Sequence, residues 1–209
     1  MVWIIQVSFI AFVIYILDLS IIRLGYKGRW FQLHTITNAM ITYLSYNDTM
    51  ECFTNPKHSI EPITNYYYLY IILITHLYHC VAFKIRFEDW LHHIISVIIP
   101  SPIFILYPNK ANSVGCFFIC GLPGTIDYAM LTLYKNDMIT KKTQKILCTY
   151  LNTYIRMPGC IVSVYLLYKD SIALNSYLLK MLALITYGNA CFYGKQSIES
   201  YERFLQIKL

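Results

Sequence analysis

The stretch FEDWLHHIISVIIPSP, residues 87–102, sets two carboxylates and a double histidine at the head of a run apolar enough to sit in lipid. The apolar half asks for a bilayer, and the ionisable half for shelter from one. Composition settles the solvent: 57% of the 209 residues are hydrophobic, 13% are charged and mean hydropathy is positive, a balance unlike that of a soluble domain. A bilayer-crossing helix takes about 20 mostly apolar residues. Seven such runs are legible, at 2–22, 31–46, 66–83, 89–107, 112–134, 145–168 and 174–194, the second short and polar with soft ends. The fold class that follows is all-α, a polytopic membrane protein of seven transmembrane helices.

Basic residues orient the chain. With the amino terminus external, the cytosolic side collects Arg23, Lys27, Arg29, Lys84, Arg86, Lys135, Lys141, Lys142, Lys145, Lys195, Arg203 and Lys208, and the external loops only Lys57, Lys110 and Lys169. The carboxyl terminus is then cytosolic. The net charge of +6 belongs to loops facing anionic headgroups and calls for no nucleic-acid partner. No basic residue precedes the first run and three follow it, which predicts an uncleaved anchor helix. Of seven cysteines only Cys52 falls in an external loop, so no disulfide framework is expected. The segment 47–65 reads as one external loop, opening with the sequon Asn47-Asp48-Thr49. Three units follow: an anchor helix and loop at 1–28, a six-helix membrane domain at 29–194 and a cytosolic tail at 195–209.

Within residues 87–102, Asp89, His92, His93 and Ser96 recur at i, i+3, i+4 and i+7 and share one helical face, leaving Leu91, Ile94, Ile95 and Ile98 for lipid. Such a stripe must face the bundle interior or a wet cavity, because ionisable groups in hydrocarbon cost several kcal/mol. Glu88 and Asp89 also suit the first turn of a helix electrostatically.

Depth extends the pattern. At about 1.5 Å per residue, His92 and His93 lie roughly 5 Å past Asp89, Asp127 about 12 Å before Lys135, Asn152 about 10 Å after Lys145 and Asn189 about 9 Å before Lys195. His34 and Asn38 fall in the first turns of the second helix, His76 and His79 in the last turns of the third, and Arg156 deeper. Six helices thus bring polar groups to the cytosolic half, with the external half mostly apolar and tyrosine-rich. A polar chamber opening to the cytosol is expected, with an Arg156–Asp127 ion pair as one structural element. Pro100, Pro123 and Pro158 interrupt three helices and free carbonyls or curve the chain.

Three chemistries fit. His76-x-x-His79 with Asp89, His92 and His93 could hold a metal, although a di-iron oxygenase would call on more histidines than the six present; no metal is expected. A histidine held by Asp89 or Asp127 could carry an acyl group to an amine or hydroxyl. Alternatively, the chamber binds a lipid headgroup without turnover.

The segments RWFQLHTITN, LYHCVAF, DWLHHIIS, GLPGTIDYAML and NTYIRMPG resemble, in order and spacing, the TLC-domain family of ceramide synthases and translocating-chain-associated membrane proteins, and are most similar to its small TLC-like members. The resemblance covers residues 29–194. It implies an endoplasmic-reticulum or related endomembrane, a ring of six helices with one extra, and a lipid-facing role. In the synthases a double histidine followed closely by a hydroxyl residue transfers acyl groups from acyl-coenzyme A to a sphingoid amine; His92, His93 and Ser96 match it, and Asp127 with Tyr128 matches part of a later acidic motif. The chain departs from that motif at Leu122, Pro123 and Gly124, where the synthases carry a His-Asp pair, and at Leu131 and Thr132, where they carry a glutamate. The resemblance thus implies His92, His93, Asp89 and Asp127 as catalytic candidates. His34, Asn38, His76, His79, Ser96, Asn152 and Arg156 are substrate-binding candidates, acyl-coenzyme A a co-substrate rather than a resident cofactor, and a membrane lipid the partner. A lipid-binding or lipid-homeostasis protein without catalysis fits the same residues.

Overall fold

The computed structural model describes residues 2–206, and within them every side chain except those of Val2, Glu88 and Asp89. Among the described residues there is no strand, only an isolated bridge between Pro62 and Asn109. Seven helical rods account for the chain: α1 Val2–Leu24, α2 Arg29–Thr54, α3 Tyr67–Ala82, α4 87–106, α5 Lys110–Lys135, α6 141–173 and α7 Tyr177–Gln206. Among the described residues, only α1 and α5 are both long and apolar enough to cross a membrane by length and composition.

The reason α2 fails that test is visible in how it is turned. His34, Thr37, Asn38, Ser45, Asp48 and Thr49 are buried, while Ile36, Met40, Tyr43, Tyr46 and Phe53 are exposed. Its polarity points inward and its apolar face outward, the reverse of a helix on a water-soluble core. Along α4, Trp90, Leu91, Ile94, Ile95, Ile98 and Ile99 are exposed in the same way.

Packing runs in a circle. Helix α2 lies against α3 and α5, α5 against α6, α6 against α7, and α4 closes the ring by touching α7 and α3 sparsely; α1 stands outside, on α2 and α3. It is tied there by Asp18, which is 1% exposed: Arg29 clasps its carboxylate bidentately and Tyr78 donates to it at 2.5 Å. Gly25 and Gly28, both in the left-handed region, make the turn between α1 and α2.

Three rods widen at one place each. Residues 94–98, 117–121 and 152–156 form i→i+5 turns, lying one or two residues before Pro100, Pro123 and Pro158. A proline ring clashes with the carbonyl four residues back, and the wider turn moves that carbonyl aside. Close packing beside these turns needs glycine. A Cβ on Gly159 would fall 2.1 Å from the Phe118 ring, and one on Gly124 2.6 Å from Asn38 Nδ2.

Several boundaries differ from expectation. Helix α2 continues through 47–54, so the loop is 55–66 and the sequon lies inside a helix; the Thr49 hydroxyl is fully buried and donates to the Ser45 carbonyl at 2.7 Å. Residues 195–206, expected as a tail, prolong α7 and pack on α6, with Lys145 donating to Ser200 at 2.5 Å. Lys208 lies outside the described residues.

The half of the bundle nearest the 55–66 loop is also less apolar than expected. Asp48, wholly buried, accepts from the Thr64 amide at 3.2 Å and from the Thr64 and Ser113 hydroxyls at 2.8 Å each, and Tyr68 meets Ser113 at 2.9 Å. Nearby, Lys110 bridges Glu51 and Glu61 at 2.5 and 2.7 Å.

Candidate functional site

The opposite half, toward Arg29, Lys135 and Lys141, contains five of the six histidines, His58 lying in the 55–66 loop. His34 comes from α2, His76 and His79 from α3, and His92 and His93 from α4. Ring centroids separate His76 from His93 by 5.1 Å, His79 from His93 by 5.0 Å, His34 from His76 by 5.7 Å and His76 from His92 by 6.2 Å. Trp30, which the sequence did not single out as a site residue, wedges into this group, stacked on His79 at 3.3 Å and edge-on to His34 at 3.6 Å.

A cavity of about 100 Å³ opens beside the cluster. His34 and Asn38, His76, His92 and Ser96, Asp127 and Tyr128, Arg156, and Tyr193 line it, contributed by α2 through α7 in that order. His79, His93 and Asn152 stand behind that wall. The widened turns supply part of it, because Ser96, Val97, Ile119, Cys120 and Arg156 all lie within them. Such turns recur at functional sites because they re-aim side chains that a regular helix would bury against its neighbour.

Each histidine is held differently. His76 Nδ1 lies 2.7 Å from the Ile72 carbonyl. A carbonyl only accepts, so the proton is on Nδ1 and the lone pair on Nε2. His92 Nδ1 lies 3.3 Å from the Ser96 hydroxyl and 3.2 Å from that of Tyr193, and Asn189 donates to Ser96 at 3.4 Å. His93 Nδ1 faces Cys80 Sγ at 3.3 Å. Neither nitrogen of His34 has a hydrogen-bond partner; its ring stacks on Tyr128 at 4.5 Å. The Asp89 side chain lies outside the described ones.

Asp127 and Arg156 do not pair. The Asp127 carboxylate accepts from the Cys148 thiol at 3.1 Å. Arg156, 5% exposed, donates to Asn152 Oδ1 at 2.6 Å and packs its guanidinium 5.0 Å from the Tyr193 ring centre. Its Nε has no partner. Asn152 in turn donates to Cys148 Sγ at 3.4 Å and to the Cys148 carbonyl at 2.8 Å. The expected ion pair is replaced by a neutral relay through Asn152 and Cys148, because α5 and α6 turn the two charges onto different parts of the wall. Asp127 therefore holds a thiol rather than orienting a histidine.

A narrow apolar slot of about 30 Å³ continues from the cavity. It shares Ser96, Phe104 and Ile119 with the chamber and runs on past Leu167, Leu182 and Ile185. Among the described residues, no three histidine, cysteine or carboxylate ligand atoms converge around the chamber as a metal ion requires; the one such group, Glu51, His58 and Glu61, is at the other end, where Lys110 sits on both carboxylates.

Besides Trp30, Tyr193 and Cys148 are site residues that sequence reasoning missed. The signal for Tyr193 was its i, i+4 spacing from Asn189; a thiol inside an apolar run gave none. Compared with known proteins, the chain matches no family model, no curated protein and no solved structure.

Proposed function

We propose that this is an integral membrane protein of seven transmembrane helices, resident in the endoplasmic reticulum or a related endomembrane, that draws a membrane lipid into a cytosol-facing chamber and acylates it. The amino terminus is external and the carboxyl terminus cytosolic. One observation carries the reading: polar groups from six helices line a single cavity inside a bundle whose outer surface is apolar.

The resemblance to the TLC-domain family supplies the reaction. A proton on His92 Nδ1, shared with the Ser96 and Tyr193 hydroxyls, gives Nε2 the lone pair a nucleophile needs. Attack on an acyl thioester breaks the C–S bond, releases coenzyme A thiolate and leaves the acyl group on His92. A lipid amine or hydroxyl then attacks that carbonyl, the bond to imidazole breaks, and the proton lost by the acceptor passes through His76 Nε2 to the thiolate. Arg156 is too deeply buried to meet coenzyme A phosphates and Arg29 is held by Asp18, so that role falls to Lys135 and Lys141 at the helix ends.

One observation favours a second reading, lipid binding or lipid homeostasis without turnover. Asp127 is engaged by Cys148 and so does not stand behind a histidine as a triad carboxylate would. The experiment is incubation of purified protein with radiolabelled acyl-coenzyme A. Acyl transfer predicts a hydroxylamine-sensitive adduct lost in His92→Ala. Absence of adduct in a protein that retains lipid through purification selects binding.

A further inference from the structure

Among the described residues, the walls of the chamber carry one cation and one anion that do not neutralise each other. Arg156 is almost wholly withdrawn from water, yet it has only a neutral amide oxygen and an aromatic face as partners, and its Nε has none. A buried guanidinium in that condition costs several kcal/mol unless something anionic completes it. Asp127 lines the same cavity and accepts only from a thiol. Cys148 and Asn152, hydrogen-bonded to each other and each to one of the two charges, stand between them.

We infer that the chamber is built for a zwitterionic amphiphile, one whose head carries a primary ammonium for Asp127 and a phosphate or carboxylate for Arg156. This rests on the lipid-chamber reading and names the class of lipid that the chamber takes. A purely anionic head would leave Asp127 facing a second negative charge, and a neutral head would leave both charges unanswered. A quaternary ammonium would satisfy the Coulombic demand but has no N–H to donate to the carboxylate.

The test is competitive loading of the full-length protein in detergent with equimolar lysophosphatidylethanolamine, O-palmitoyl serine, lysophosphatidylcholine, lysophosphatidylglycerol and monoacylglycerol of matched chain length, read by native mass spectrometry. The two primary-ammonium zwitterions should be retained about tenfold over lysophosphatidylglycerol and monoacylglycerol, with lysophosphatidylcholine between. Their ratio to each other tells phosphate from carboxylate as the anion. Asp127→Asn, isosteric and uncharged, should bring lysophosphatidylethanolamine and lysophosphatidylglycerol to parity. Arg156→Gln should abolish the advantage over monoacylglycerol, and Arg156→Lys should restore part of it. Equal retention of lysophosphatidylglycerol and lysophosphatidylethanolamine by the unmutated protein overturns the inference with no variant needed, and so does selectivity unchanged in Asp127→Asn. Retention of amphiphiles without charge preference leaves the chamber standing and removes only the zwitterion; retention of none removes both.

Discussion

Near the 55–66 loop, Asp48 is wholly buried and accepts from one amide and two hydroxyls, and Lys110 sits between two glutamates. Near the opposite end, Arg156 is nearly as buried and has an unpartnered Nε, and His34 has two unpartnered nitrogens. At Asp48 and Lys110 the first region closes its hydrogen bonds on itself, as a fold does when polarity is there to fix geometry, although Asp170 Oδ2, Asn109 Nδ2 and Asn112 Oδ1 in the same region have no partner. Arg156 and His34 leave theirs open onto a cavity. Burial alone would have ranked Asp48 with Arg156; what separates the two is whether the buried charge is answered from within the chain.

The comparison breaks most directly at Asp48. Asp48→Ala removes the acceptor for three donors in a dry interior and should cost about 3 kcal/mol or more, read as a lower midpoint in thermal or denaturant unfolding, with lipid selectivity retained by the folded fraction. Next is Gly159→Ala, whose added methyl meets the Phe118 ring; overpacking there should cost about 1–3 kcal/mol. Phe118→Leu in the same chain should recover part of that loss. Smaller still, and informative for its sign, is Arg156→Met. Removing an uncompensated buried charge should leave stability unchanged within about 1 kcal/mol or raise it, while lipid retention falls. A large loss of stability would place Arg156 with Asp48 and erase the distinction between the two ends.

The smallest expected effect is in acid. Hydrogen bonds from Lys110, and then from His58, hold the Glu61 carboxyl below its ordinary value of 4.5. A lowered folded-state value means the clamp contributes above about 4.5 and fades as pH falls through the folded value. Glu61→Gln should flatten the change in proteolytic susceptibility of the 55–66 loop between pH 5 and pH 3, and because Glu61 is solvent-exposed the change is modest.

The seven rods and their order were legible because apolar runs separated by charged turns survive any detail of packing. Their ends were less so. Residues 47–54 and 195–206 are polar enough to read as loop and tail, yet both continue helices, the first because Asp48 and Thr49 turn inward to partners that sequence does not display. The gathering of His34, His76, His92 and Asp127 around one cavity followed from counting rise along each helix, with Arg156 expected deeper. Their pairing did not follow. Each i→i+5 turn adds a residue and rotates everything beyond it by about 100°, so the regular periodicity that aligned Asp89, His92, His93 and Ser96 cannot be carried past residue 94, nor Arg156 assigned to Asp127. The prolines announced an interruption; the direction of the resulting rotation depends on neighbours such as Phe118 packed on Gly159.

The clasp of Arg29 on Asp18 bears on how the chain is made. Asp18 and its counter-charge Arg29 lie eleven residues apart, so this clasp can close without any other helix of the ring. Tyr78, on α3, then ties the neutralised pair to the ring.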